Sequence, residues 1–272
     1  MTQIQAAMET ITPETAKEML SNNDNNRKIS RHMVDLYARE MQNGEWSANG
    51  EAIKFSESGR LLDGQHRLMA VISSGIPLYT LVIRGLKDET QQTMDSGKKR
   101  SVGDALNLQG ERNSNQLAAI ARIVYVTDQL GLEAAMRNQI PPTPGEIIDF
   151  VHKTPQLQDL LSAARVFQRD SGGMMTISMF SALWWAFAHL DTSAANSFFS
   201  SLATGAELPA DSPILLLRNQ LQSARLHGQN RSMRNGRIQV AALTIKAWNS
   251  WRRGKSIKML KFSVNETFPE PC

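Results

Sequence analysis

The run Gly59-Arg60-Leu61-Leu62-Asp63-Gly64-Gln65-His66-Arg67-Leu68 forces a strand, a tight polar turn and a helix start into one short stretch. Leu61 and Leu62 end an apolar strand that follows the turn Ser56-Glu57-Ser58-Gly59, while Leu68, Ala70, Val71 and Ile72 begin an apolar helical face. Asp63 to Arg67 therefore stand at a helix N-terminus, where the first backbone N–H groups lack intrahelical partners and the helix dipole favours an anion. A phosphate is the natural guest of such a place. Gly64 permits close approach of the backbone, and Arg67 offers a planar fork to phosphate oxygens. Gly64, Gln65, His66 and Arg67 together read as a phosphate cradle.

Around this run the sequence predicts helices, a hairpin, a helix and a strand. Thr12-Pro13 opens a helix through Leu20, and Ser30 caps a second, Arg31 to Asn43, with Val34, Tyr37 and Met41 on one face and Gly44 at its end. Ile53-Lys54-Phe55 and Arg60-Leu61-Leu62 form a hairpin, and Leu78 to Ile83 is the strongest β segment of the chain. Beyond Arg84 the β signal disappears. Asp88 caps a short helix, Ser101-Val102-Gly103-Asp104 reads as a capping box, and helices are predicted from Asn115, Thr143, Ser178, Thr192, Pro213 and Arg237. The expected fold is α+β over residues 1–112, with a small mixed sheet, followed by an all-α unit of six or so helices over residues 113–272.

Composition bounds the function. Of 272 residues 41% are hydrophobic, with no apolar run of membrane-spanning length and no signal-peptide pattern, so the expected product is soluble and cytoplasmic without a membrane partner. The single cysteine, Cys272, rules out a disulfide framework and a thiolate metal site. The formal net charge of +4 conceals a segregation: eleven Lys and Arg and no Asp or Glu lie between Ser212 and Asn265, leaving 19 of the 30 basic residues against all 26 acidic ones elsewhere. That asymmetry predicts a polyanion partner, DNA, for the C-terminal part. Arg234, Arg237, Lys246, Arg252, Arg253 and Lys255 are the expected contacts. Trp184, Trp185, Phe187, Phe198 and Phe199 have the spacing of a helical core rather than of a base-stacking platform, whereas Trp248 and Trp251 are interleaved with positive charge.

Asp63-Gly64-Gln65-His66-Arg67 resembles the DGQHR-type signature of the ParB/sulfiredoxin superfamily. Asn26-Arg27-Lys28-Ile29, Tyr37-Ala38-Arg39-Glu40-Met41, Gly44-Glu45-Trp46 and Met94-Asp95-Ser96-Gly97 extend that similarity toward a branch of the superfamily found in phages and other mobile elements. The resemblance implies a ParB/sulfiredoxin-like N-terminal domain that binds a nucleoside triphosphate, ATP or CTP, through Gly64-Gln65-His66-Arg67. The superfamily includes CTP-dependent DNA clamps, free serine kinases, nucleases and enzymes that reduce sulfinic acids, so membership implies a site more firmly than a reaction. Sulfinic acid reduction is excluded, because it needs a cysteine where this signature has Gln65.

Several residues then acquire candidate roles. Asp63 is expected either to hold Mg2+ against the triphosphate or to cap the following helix. His66 is expected either to contact a phosphate and move a proton or to orient the loop as a packed side chain. Glu51 matches by position a carboxylate that related serine kinases use as a base, against the simpler reading of a solvated strand-end glutamate. Arg27 and Lys28 would close over the triphosphate from the opposite side, and Lys98-Lys99-Arg100 would reach the nucleotide or DNA. The expected function is NTP-dependent phosphoryl transfer or hydrolysis with DNA as partner, the alternatives being a non-catalytic DNA-binding regulator or a nuclease. A homodimer is left open.

Overall fold

A computed structural model describes residues 3–23, 26, 28–94, 101–226, 234–263 and 265–272, with the backbone alone at residues 92, 93, 225, 226, 234 and 235. Arg27, Lys98, Lys99 and Arg100 lie outside the described residues, as does the side chain of Arg234. The chain divides into two compact units, residues 1–99 and 100–272.

The first unit combines a sheet with helices. Its elements are β1 (Gln5–Ile11), α1 (Pro13–Leu20), α2 (Arg31–Gln42), β2 (Ala52–Ser56), β3 (Leu61–Asp63), α3 (Gln65–Ser74), β4 (Leu78–Leu86) and a 3-10 turn (Asp88–Thr93). The strand order is β1-β4-β2-β3: β1 runs antiparallel to β4, β4 parallel to β2, and β2 antiparallel to β3. A parallel pair needs a crossover, and α3 supplies it between the β2–β3 hairpin and β4. The buried face of the sheet, with Ile53, Phe55, Leu61, Leu78 and Val82, packs on Ala16, Met19, Ala38, Met41, Leu68 and Val71 of the helices.

Local chemistry explains most boundaries. The Thr12 hydroxyl accepts from the Thr15 N–H at 3.2 Å, and Pro13 occupies the first helical position of α1. Ser30 is the N-cap of α2 but its side chain makes no capping bond, contrary to expectation. Asp88 likewise does not cap its 3-10 turn, because Lys87 holds the cap position and the Asp88 carboxylate accepts from Arg60 Nε at 3.0 Å. Strand β1 escapes the sequence reading altogether.

The second unit is all helical among the described residues: α4 (Val102–Leu108), α5 (Ser114–Arg137), α6 (Pro144–Lys153), α7 (Gln156–Asp170), α8 (Ile177–Thr204), α9 (Pro213–Leu226) and α10 (Arg234–Arg252). Both reciprocal bonds of the Ser101/Asp104 capping box are present, and α4 packs on α5, so this helix belongs to the second unit although it precedes residue 113. Helix α8 breaks at Asp191, whose carboxylate accepts from the Ala194 N–H at 2.9 Å and so restarts the helix. The core is aromatic. Phe187 stacks on Trp248 at 4.3 Å between ring centroids, and Phe198 meets Trp248 edge-on at 5.5 Å. Trp248 is fully buried, which places it in the core and away from any phosphate surface. No helix among the described residues is long and apolar enough to cross a membrane.

Candidate functional site

The signature residues sit where β3 turns into α3. Gly64 is the N-cap, in the left-handed region at φ 110°. A Cβ there would lie 3.1 to 3.3 Å from Ile53 atoms, including its backbone Cα. The glycine therefore lets α3 begin against β2, and the close approach it permits is to the protein's own strand. Asp63 makes no capping bond to α3, since the cap is Gly64 and no side chain serves it.

The Asp63 carboxylate is shared by two cations. Its Oδ2 lies 3.3 Å from Lys54 Nζ and 3.2 Å from Arg67 Nη2. The same Arg67 nitrogen donates to the Ala52 carbonyl of β2 at 2.8 Å, so the guanidinium is held from both sides. Arg67 retains only 9% of its accessible surface. Its Nη1 is buried with no hydrogen-bond partner among the described residues, a donor pair that none of their acceptors satisfies.

Gln65 and His66 point toward the α1–α2 connection. Asn23 Nδ2 donates to Gln65 Oε1 at 3.3 Å, and the Ser30 backbone N–H donates to His66 Nε2 at 3.0 Å. His66 Nε2 is thus an acceptor in this arrangement. His66 is buried, and this contact ties it to the α1–α2 connection. A polar chain continues along the outer edge of β3: Asn26 Nδ2 donates to the Leu61 carbonyl at 2.7 Å, and Gln91 Nε2 donates to Asn26 Oδ1 at 2.7 Å and to the Leu62 carbonyl at 3.1 Å. These amides occupy backbone acceptors that an edge strand otherwise leaves open. Lys28, in the same connection, is exposed.

Glu51 directly precedes β2 and is exposed. Its carbonyl accepts from Thr80 Oγ1 at 3.4 Å, while its carboxylate has no partner among the described residues. It is adjacent in the chain to Ala52, the anchor of Arg67. The structure thus gathers Asp63, Gly64, Gln65, His66 and Arg67 with Asn26, which the sequence reading named only for its resemblance, and with Asn23, Lys54 and Gln91, to which it gave no role at the site. A cavity of about 570 Å³ in this unit is lined by Glu9, Glu18, Phe55, Glu57 and Arg84, and no signature residue lines it. There the Arg84 fork is closed on both oxygens of Glu9, whose hydrogen bonds hold the guanidinium charged.

The cations of the second unit separate into two groups. Arg218 caps the C-terminus of α8 through the Leu202 and Ala203 carbonyls, and Lys246 donates to the Lys261 carbonyl at 2.7 Å and to Glu266 at 2.5 Å. Arg252 lies 3.7 Å from Asp191 and over the Trp248 ring, while Arg253 donates to Cys272 Sγ at 2.7 Å. Arg237, Lys255, Lys258 and Lys261 are exposed, with no partner for their charged groups among the described residues. Comparison of the chain with family models, with characterised proteins and with solved structures finds no match.

Proposed function

We propose that this protein binds a nucleoside triphosphate, ATP or CTP, at the start of α3 in a ParB/sulfiredoxin-like N-terminal domain, works with DNA through its basic C-terminal unit, and uses the nucleotide as a switch. The observation that carries this reading is Arg67 Nη1. A buried donor without an acceptor costs about 1–3 kcal/mol, and a phosphate oxygen is the acceptor that a guanidinium at a helix start suits best. The resemblance of Gly64-Gln65-His66-Arg67 to the superfamily's triphosphate segment points the same way.

The switch is favoured over turnover because two of the three candidate catalytic groups are already engaged. Asp63 is shared by Lys54 and Arg67, and a dication beside those two cations would meet repulsion, so its side chain does not fit a Mg2+ ligand in this arrangement. Any Mg2+ comes with the phosphates. His66 Nε2 is occupied as the acceptor of the Ser30 N–H. The exposed Glu51 carboxylate supports a second reading, phosphoryl transfer or hydrolysis with Glu51 as base.

Calorimetry of the full chain against the four ribonucleoside triphosphates with Mg2+ tests binding, and phosphate release with and without DNA tests turnover. The switch reading expects saturable binding of one or two nucleotides and no release. Release that falls ~10²- to 10⁴-fold in Glu51→Gln establishes the second reading instead, and absence of binding to any of the four overturns both.

A further inference from the structure

We propose that the helical unit carries a second site, independent of the nucleotide reading, for a small organic anion with an apolar body. It lies in a cavity of about 340 Å³ walled by α5, α8 and α10. That volume is at the lower end of the ~300–1,000 Å³ typical of small-molecule sites. The cavity exists because α5 is broken. Gly131, at φ 85° and ψ 167°, folds its C-terminal arm back, so that Ala135 and Asn138 wall the same space as Arg122 and Val126. On a straight helix Arg122 and Ala135 would stand about 20 Å apart along the axis.

The chemistry of the wall is one-sided. Arg122 and Arg237 line the cavity from α5 and α10, and neither guanidinium has a hydrogen-bond or ion-pair partner among the described residues. No lining residue is acidic. The floor is made by Ile123, Val126 and Met179, each no more than 7% exposed. The Thr176 Oγ1 at the start of α8 accepts from the Met179 N–H at 3.2 Å, so that amide is already satisfied and the arginines supply the charge that attracts an anion. Two planar forks over an apolar floor suit an oxyanion joined to a hydrophobic body, and Asn138 adds an amide at the rim. A bare inorganic anion would leave the floor without a partner, and a neutral apolar molecule would leave both guanidinium groups without one. The oxyanion is a carboxylate or a phosphate monoester, chemistries that the same forks recognise.

Calorimetry on the full chain without DNA, using benzoate, phenyl phosphate and inorganic phosphate as probes, tests the site. At least one aromatic probe is expected to bind about tenfold or more tightly than inorganic phosphate, and whichever of the two binds better identifies the oxyanion. Arg122→Gln and Arg237→Gln should each weaken that binding about tenfold or more while leaving the melting temperature unchanged, because both side chains are exposed. Ala119→Trp, which fills the cavity from its exposed wall without touching charge, should abolish it. The proposal is overturned if neither aromatic probe binds up to about 10 mM, if the double arginine variant binds as the parent does, or if Arg122→Gln alters only DNA affinity. The last outcome would make the cavity part of a DNA surface.

Discussion

Arg67 concentrates the argument at the scale of single residues. Its Nη2 is fixed by Ala52 and Asp63, and its Nη1 is buried without an acceptor among the described residues. Arg67→Lys keeps the charge but loses the fork, and NTP affinity should fall about tenfold to a hundredfold in calorimetry with far-UV circular dichroism unchanged. If that variant folds poorly, Lys28→Ala replaces it as the probe: the side chain is exposed, so a several-fold loss of affinity without loss of stability is expected, and unchanged affinity argues against closure of this connection over the phosphates. Gly64 separates structural from ligand roles. Its left-handed backbone and its contact with Ile53 predict that Gly64→Ala lowers stability by about 1–2 kcal/mol or more in urea titration. Full stability with lost NTP binding would show instead that the glycine makes room for ligand. The Asp63 ion pair with Lys54 was not legible from residues alone, because the β2–β3 register shifts between Phe55↔Leu61 and Lys54↔Asp63. That one-residue slip brings the carboxylate opposite the lysine, and a regular hairpin would have put Leu62 there.

Elements were legible where their ends carry their own chemistry. Thr12-Pro13, Ser101/Asp104 and Thr143/Glu146 fix α1, α4 and α6 by caps that act within four residues, and the sequence shows those pairings directly. Strand β1 has no such signal: of its seven residues only Ile11 is buried, and its extended form rests on pairing with β4, from Gln5↔Arg84 to Ile11↔Leu78. Helix α7 was overlooked for a different reason. Its core positions Leu157, Leu160, Leu161 and Ala164 follow helical spacing, but they begin directly after the break at Thr154-Pro155. The C-terminal tail is a third case, since it docks through contacts distant in the chain, Lys246 to Glu266 and Asn249 to Glu270 and Cys272, with Phe268 buried. Hydrogen bonding from Lys246, and then from the Ser263 backbone, holds the Glu266 carboxyl below the usual glutamate range. A depressed folded value means that this stabilisation is complete above the unfolded pKa of ~4.3 and is lost as pH falls through the folded one. Hydrogen exchange of the amides of residues 265–272 should therefore accelerate, relative to the intrinsic rate, as the pH falls below about 4. Glu266→Gln should show that acceleration already at neutral pH, and equal protection in parent and variant would remove the ion pair as the cause.

For the molecule as a whole, the segregation of charge is the feature that sequence and structure weigh differently. Eleven cations between Ser212 and Asn265 suggested one continuous field, yet the folded unit spends several of them internally. Arg218 ties α8 to α9, Lys246 holds the tail through Glu266, and Arg252 faces Asp191, a carboxylate outside the acid-free stretch. Partner choice in three dimensions is invisible to a count along the chain, which is why the number of available phosphate contacts drops. Among the described residues, Arg237 stays exposed at the start of α10, and Arg253, Lys255, Lys258 and Lys261 are exposed beyond its end. If the latter four residues meet phosphates, the logarithm of DNA affinity of the full chain should fall against log salt with a slope near −3.6, at about −0.9 for each contact. Lys255→Ala and Lys258→Ala should each reduce the slope by about one and leave sequence preference unaltered, because phosphate contacts position a protein without reading bases. Lys246→Ala should leave the slope as it is while loosening the tail, since its ammonium is already committed to Glu266 and the Lys261 carbonyl. A slope indifferent to Lys255 and Lys258, or DNA binding that does not respond to salt, would show that the cations serve the fold of this chain rather than a nucleic-acid partner.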